Sequence, residues 1–290
     1  MSLFIQLLLN GLISGSIYAL VAAGFSLIYN TNKFMHFAHG AIVVLAGYLL
    51  YGFYKVVGFG FIYSLLSTLF YASFFGLLIY AIVYRPLQKK KASKVILLIT
   101  SISLLIFFQN VIQMIFGTSV KDLEFNVSEG ISVLGATITP LQISIIIISF
   151  VLMTGLYFFV SKTRIGRDMR AVADNNELAS IVGINYKKVF AISFILGSLL
   201  AGIAGVLIAL EQNLTPSMGT NLMIKGFTGA VVGGIYSVPA SIIGSLFLGL
   251  AENFGIAFLP SGYKDAISFV ILFLFLLFKP NGLFGGKKER

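Results

Sequence analysis

Residues 3–29 read LFIQLLLNGLISGSIYALVAAGFSLIY, a run without a single charged side chain. As an α-helix it would be about 40 Å long, more than enough to cross a hydrocarbon core of roughly 30 Å with some tilt. The run has no basic region before it and no clear small-residue cleavage site after it, so it reads as a retained span and not as a signal peptide. Further charge-free runs at residues 37–54, 61–84, 95–116, 141–160 and 189–210 supply spans two to six. Of the 290 residues, 58% are hydrophobic and 10% charged, against roughly 25% charged in soluble chains. That is too little polar surface to solvate a globule, so the predicted class is an all-α polytopic membrane protein, with residues 1–290 forming one transmembrane domain. There is no cysteine, which removes disulfides, thiolate metal sites and a cysteine nucleophile.

The net charge of +10 would suggest nucleic acid in a soluble protein. In a membrane protein, Lys and Arg collect on short cytoplasmic loops. Arg85, Lys89, Lys90, Lys91 and Lys94 follow span three, and Lys162, Arg164, Arg167, Arg170, Lys187 and Lys188 follow span five. With Lys33 and the tail residues Lys279, Lys287, Lys288 and Arg290 these are sixteen of the twenty basic residues. The N-terminus is therefore expected outside and the C-terminus in the cytoplasm, which requires an odd number of crossings. A short broken helix from near Phe227 to Ile235, a span from about Val238 to Phe258 and a last one from Ala266 to Phe278 bring the expected total to nine. Eight is the alternative.

Gly11 and Gly15, and Gly229 and Gly233, have the spacing that lets membrane helices approach closely, with Ala201 and Gly205 as a looser relative. Tyr29, Tyr51, Tyr54, Tyr63, Tyr84 and Tyr157 fall near span ends and read as interfacial anchors.

The chain has little chemistry of its own. The glycine-rich stretch 226–234 lacks the Lys and hydroxyl of a phosphate-gripping loop. His36 and His39 share a helix face, but a metal needs three or four ligands and no cysteine or carboxylate is near in sequence; a packing or hydrogen-bonding role is expected, and no cofactor or metal site is assigned. Glu252 is the one good intramembrane carboxylate, read as a pathway contact or a brace between helices, against the alternative of snorkelling to the outer interface. Glu211 and Lys225 are expected on the outer surface.

The loop 162–188 is more informative. Ile165, Met169 and Val172 recur at i, i+4 and i+7, and Leu178, Ile181 and Val182 at i, i+3 and i+4, as in two short amphipathic helices. Asp174 and Glu177 have capping-box spacing, and Gly183 is placed to end the second helix. Two helices in so short a loop predict a docking surface for a cytoplasmic partner; the alternative is a basic loop that binds lipid headgroups.

Three stretches then carry a resemblance. They are GLISGSIYAL at 11–20, continued through Gly24 to Tyr29 and FAHG at 37–40; TRIGRDMRA at 163–171 with Ala179, Gly183, Ile184, Asn185, Phe194, Ala201 and Gly202; and FTGAVVGG at 227–234, SVPA at 237–240, GYKD at 262–265 and FKPNGLF at 278–284. In these the chain resembles the permease subunits of ATP-binding cassette importers for branched-chain amino acids, in particular the shorter of that system's two permeases. His36 stands where the family's stretch has Asn.

The resemblance implies a partner permease, two cytoplasmic ATPase subunits, an external substrate-binding protein and a bacterial or archaeal plasma membrane. It also implies that the second loop helix docks on an ATPase. That role maps to Asn175, Glu177, Ala179, Gly183 and Ile184, with Arg164, Gly166, Arg167 and Arg170 leading into them. The chain itself would then be no enzyme. Urea or a short amide is the alternative substrate in the same family. An ion-coupled carrier is disfavoured by the few buried ionisable groups, and a membrane enzyme by the lack of a clustered catalytic constellation.

Overall fold

A computed structural model describes residues 2–124, 129–133 and 135–284; the basic tail residues Lys287, Lys288 and Arg290 lie outside them. Lipid offers no hydrogen-bond partner to a peptide group, so charge-free runs satisfy their backbones internally as helices. Eight helices among the described residues are long and apolar enough to cross a membrane: Ser2–Asn32, His39–Val56, Phe61–Lys89, Lys94–Phe116, Pro140–Lys162, Tyr186–Glu211, Val238–Gly255 and Ser261–Phe278. We number the α-helices α1 (Ser2–Asn32), α2 (His39–Tyr51), α3 (Phe61–Ile79), α4 (Arg85–Lys89), α5 (Lys94–Phe116), α6 (Pro140–Lys162), α7 (Arg164–Asp174), α8 (Asn176–Ile181), α9 (Tyr186–Glu211), α10 (Met218–Gly233), α11 (Val238–Gly255) and α12 (Lys264–Phe278). Helix α2 continues through a π-helical turn, Gly52–Val56, and a second π turn, Tyr80–Tyr84, joins α3 to α4.

Two expectations change. The short segment placed near 227–235 begins earlier, at Met218; with 16 residues α10 rises about 24 Å, less than a hydrocarbon core. An antiparallel hairpin, β1 (Ile131–Val133) with β2 (Ala136–Ile138), departs from the all-helical expectation, because strands of three residues leave no periodicity to read.

The chain divides into two compact units. The first comprises Met1–Ser26, Glu124–Thr154 and Ile224–Arg290. Its helices touch backbone to backbone: a side chain at Gly249 would run into Gly15, one at Gly11 into Leu250, and one at Gly229 into Ser245. The GxxxG positions of the sequence are thus packing positions. Gln6 of α1 donates to the Thr137 carbonyl and accepts from its N–H, at 3.1 and 2.8 Å, which ties α1 to β2. Residues 279–284 return to α10, where the N–H groups of Leu283 and Phe284 bond the carbonyls of Val232 and Gly233 at 2.8 and 3.0 Å. The FKPNGLF stretch therefore satisfies carbonyls that a helix leaves open at its C-terminus.

The second unit comprises Leu27–Leu123 and Gly155–Met223. Helices α2 and α3 pack on α9. A Cβ on Gly205 would collide with the Val43 carbonyl of α2, and one on Gly76 with Ser198. The π turn after α3 carries Tyr80 and Tyr84 onto Phe194, with ring centroids 5.1 and 5.5 Å away. Tyr84 is fully buried and its hydroxyl lies 2.9 Å from His36 Nδ1. It is a core residue and not the interfacial anchor its position near a span end suggested.

Gly205→Val should force α2 and α9 apart, at a cost of about 1–3 kcal/mol of overpacking. Thermal unfolding of the detergent-solubilised chain should fall by several degrees. Gly155→Val, where a side chain meets nothing within 4 Å, should leave the midpoint unchanged.

Candidate functional site

Two places concentrate what polar chemistry the helices hold. The first lies in the first unit, on α11. Ser237 caps this helix by accepting from Ala240 N–H at 3.4 Å, and Pro239 sits in its first turn, where its missing N–H costs nothing. Ser241, Ser245, Gly249 and Glu252 are all buried and recur every three or four residues, so they share one face. Gly249 meets Gly15 on that face, and α11 runs antiparallel to α1, with Leu246 beside Gly15 and Leu250 beside Gly11; the close approach lets the long side chains of Glu252 and Tyr18 meet.

The Tyr18 hydroxyl donates to Glu252 Oε2 at 2.9 Å. Lys225 of α10 reaches the same oxygen at 3.3 Å, Asp265 Oδ1 at 3.0 Å and the Tyr18 hydroxyl at 3.2 Å. Ser268 of α12 donates to Glu252 Oε1, and Lys264 donates to Asn253 Oδ1 at 3.0 Å. Glu252 is wholly buried, whereas the Asp265 side chain is 60% exposed. Both Glu252 oxygens thus have partners, from α1, α10 and α12, and no snorkelling to water is needed. Lys225, expected on the outer surface, is 12% exposed. It lies in the middle of α10 because that helix starts at Met218 and not near Phe227. The sequence marked Glu252, but only tertiary contacts could supply Tyr18, Lys225 and Ser268.

The second place is the loop of the second unit. Thr163 opens α7 by accepting from Gly166 N–H at 3.0 Å, while its hydroxyl donates to the Phe159 carbonyl at 2.7 Å. Any Cβ at Gly166 would strike the carbonyls of Phe159 and Val160, so the tight turn out of α6 requires glycine here. Arg170 donates to the Val160 carbonyl across the same turn. The helix buries Met169 and Val172, as the spacing predicted, while Ile165 is partly exposed.

The cap of α8 is Asn175, accepting from the N–H groups of Glu177 and Leu178 at 2.9 and 3.1 Å; Asp174, the expected cap, is the last residue of α7. Gly183, at φ +88°, ends the helix in the left-handed region that favours glycine. Ala179 is buried, 4% exposed, whereas Leu178, Ile181 and Val182 are 60%, 78% and 74% exposed. Ala179 therefore faces the protein, and Leu178, Ile181 and Val182 form an apolar edge that stands free. Arg164 and Arg167 are exposed, and Ile184 closes the turn by donating its N–H to the Ala179 carbonyl at 3.0 Å.

These are the features of a polytopic helical membrane protein with an ordered loop outside its spans. Over residues 7–276 the sequence matches the model of the family described as branched-chain amino acid transport system, permease component. The chain belongs to this family. The high-affinity branched-chain amino acid transport system permease protein BraD of Pseudomonas aeruginosa is 34% identical over 297 residues, covering 97% of this chain and 96% of BraD. Its counterpart LivH of Escherichia coli (strain K12) is 35% identical over 302 residues, covering 97% and 96%. Among solved structures, PsaBC from Streptococcus pneumoniae in complex with Fab aligns with a TM-score of 0.53 at 14% identity, covering 97% of this chain and 94% of that one; the likeness concerns the fold alone.

Removing one partner of a buried pair strands the other, at about 3 kcal/mol or more, whereas an exposed carboxylate contributes under about 1 kcal/mol. Glu252→Ala should therefore lower the unfolding midpoint far more than Asp265→Ala, and adding Lys225→Ala to Glu252→Ala should cost less than the two single losses together. Equal losses from Glu252→Ala and Asp265→Ala would remove the brace reading.

Proposed function

We propose that this chain is the transmembrane permease subunit of an ATP-binding cassette importer, forming half of the translocation pathway for leucine, isoleucine and valine. Membership of the permease family over residues 7–276 carries the reading. Nothing in the sequence has the phosphate-gripping loop an ATPase needs, so ATP hydrolysis is assigned to two cytoplasmic partner subunits. A second permease would complete the pathway, and a binding protein outside the membrane would deliver substrate.

The loop 162–188 is the contact with an ATPase subunit in this reading. The free apolar edge of α8, Leu178 with Ile181 and Val182, supports it, because three large apolar side chains beyond the spans gain by being covered. Around that edge Gly166, Asn175 and Gly183 set the backbone and Ala179 seats the helix. Arg164, Arg167, Arg170, Glu177 and Ile184 complete the coupling region.

The placement of sixteen basic residues supports an external N-terminus and a cytoplasmic C-terminus in a bacterial or archaeal plasma membrane. Nine crossings follow, with α10 as the short one. Glu252 acts as a brace: its charge is matched internally by Lys225, which suits a pathway for zwitterionic or neutral solutes.

The reconstituted complex with its cognate binding protein should take up labelled leucine with ATP, and excess isoleucine or valine should compete. Ile181→Asp should leave insertion and purification intact but abolish uptake and binding-protein-stimulated hydrolysis, because a carboxylate would be desolvated at the contact. Urea uptake without leucine uptake would overturn the substrate, and unchanged stimulation in Ile181→Asp would overturn the docking edge. A cytoplasm-specific reporter fused after Arg290 should be active and one inserted beside Glu124 silent; activity at both or at neither would overturn the topology.

A further inference from the structure

In the second unit the chain leaves a cleft of about 620 Å³ between α4, the turn after it, α8 and the start of α9. This is within the range of small-ligand sites, roughly 300–1,000 Å³. Four cations line it: Arg85, Lys89 and Lys91 from α4 and its turn, and Lys187 from α9. One carboxylate, Glu177 of α8, faces them. Among the described residues none of the four cations is in an ion pair with a carboxylate.

The cations are held in place by structure beneath them. Tyr80, 3% exposed, donates its hydroxyl to the Lys187 carbonyl at 3.3 Å, fixing the start of α9 against the π turn. Gln88 donates to Asn32 Oδ1 at 3.5 Å, and Asn32 is 8% exposed. Lys91 sits in the left-handed region at φ +55°, which is strained for a non-glycine residue, and it lines the cleft from that conformation.

We propose that this cleft binds a phosphate group, whose occupant ties the α4–α5 turn to the α7–α8 loop. Like charges around one concavity repel, and an anion between them relieves that repulsion. A single carboxylate would leave most of the positive charge unmatched. A phosphate presents several acceptor oxygens, which suit the planar fork of Arg85 and the point charges of three lysines. Basic pockets beside membrane spans on the cytoplasmic side take anionic lipid headgroups for this reason. A headgroup and a soluble phosphate share the chemistry, and the experiment separates them. The proposal is independent of the substrate and takes from the functional reading only the orientation that puts the cleft in the cytoplasmic leaflet.

The full chain in nanodiscs of phosphatidylcholine with added phosphatidylglycerol is extracted into detergent, and retained lipids are counted by native mass spectrometry. In parallel, thermal unfolding is followed with inorganic phosphate against chloride at matched ionic strength. One variant pairs Arg85→Gln with Lys187→Gln. Its control pairs Lys90→Gln with Lys188→Gln, the same charge change at neighbouring residues that do not line the cleft.

Wild type should retain phosphatidylglycerol over phosphatidylcholine, the cleft variant roughly tenfold less or lower still, and the control almost as much as wild type. Stabilisation by phosphate alone, lost in the cleft variant and kept in the control, would assign a soluble phosphate and still support the site. Equal loss in both pairs would reduce the effect to surface charge and overturn it, as would no preference for either anion. Unchanged lipid retention and unchanged phosphate stabilisation in the cleft variant would also overturn it. None of these outcomes depends on leucine uptake.

Discussion

The Glu252 carboxylate is wholly buried, and the first unit is arranged around that burial. A carboxylate within a membrane span is expensive unless every lone pair finds a donor. Tyr18 and Lys225 serve one oxygen and Ser268 the other, and they come from three different helices. Losing Lys225 would leave the charge unmatched and losing Tyr18 or Ser268 would leave a carboxylate oxygen short of a donor, so α1, α10, α11 and α12 are held in one mutual arrangement. Helix contacts in lipid gain little from the hydrophobic effect, because the surroundings are as apolar as the side chains. A buried polar network can therefore specify register where apolar packing alone would tolerate sliding.

Close backbone approach is the second half of that arrangement. Gly249 against Gly15 brings α11 near enough to α1 for Tyr18 to reach Glu252. The short α10 is then closed at its C-terminal end by residues 279–284, whose N–H groups take the carbonyls of Val232 and Gly233. A stretch far along the chain thus completes a helix that ends within the first unit. In the second unit the same logic appears without charge: glycines on α3 and α9 admit close neighbours, and the space between is filled by Phe194, Tyr80, Tyr84 and His36.

The α7–α8 loop divides its residues by direction. Met169, Val172 and Ala179 turn inward, while Leu178, Ile181 and Val182 stand out. Gly166 and Gly183 set the turns at its two ends, the first by close approach and the second by a positive φ. A loop with two caps and a glycine at each end holds its shape, so an apolar edge on it is presented in a fixed orientation. The neighbouring basic cleft shares α8 as a wall, so an anion there would bear on the same element.

The sequence by itself determined the class, most of the spans, the two-helix loop and the family. Each rests on a local quantity: the length of a charge-free run, the spacing of apolar residues, or a glycine at a fixed offset. The start of α10 was not legible, because Gln212 to Ser217 is polar and Lys225 interrupts the apolar pattern that would have marked the helix. Tyr84 looked like an interfacial anchor and Lys225 like a surface cation for the same reason, since position near a span end says nothing about what another helix brings alongside. Only the tertiary structure decided that Tyr84 meets His36, that Lys225 meets Glu252, and that Ala179 faces in while Ile181 faces out. Those outcomes depend on partners distant in the chain, and hydrogen bonds or burial between distant residues leave no periodic trace in either partner's own sequence.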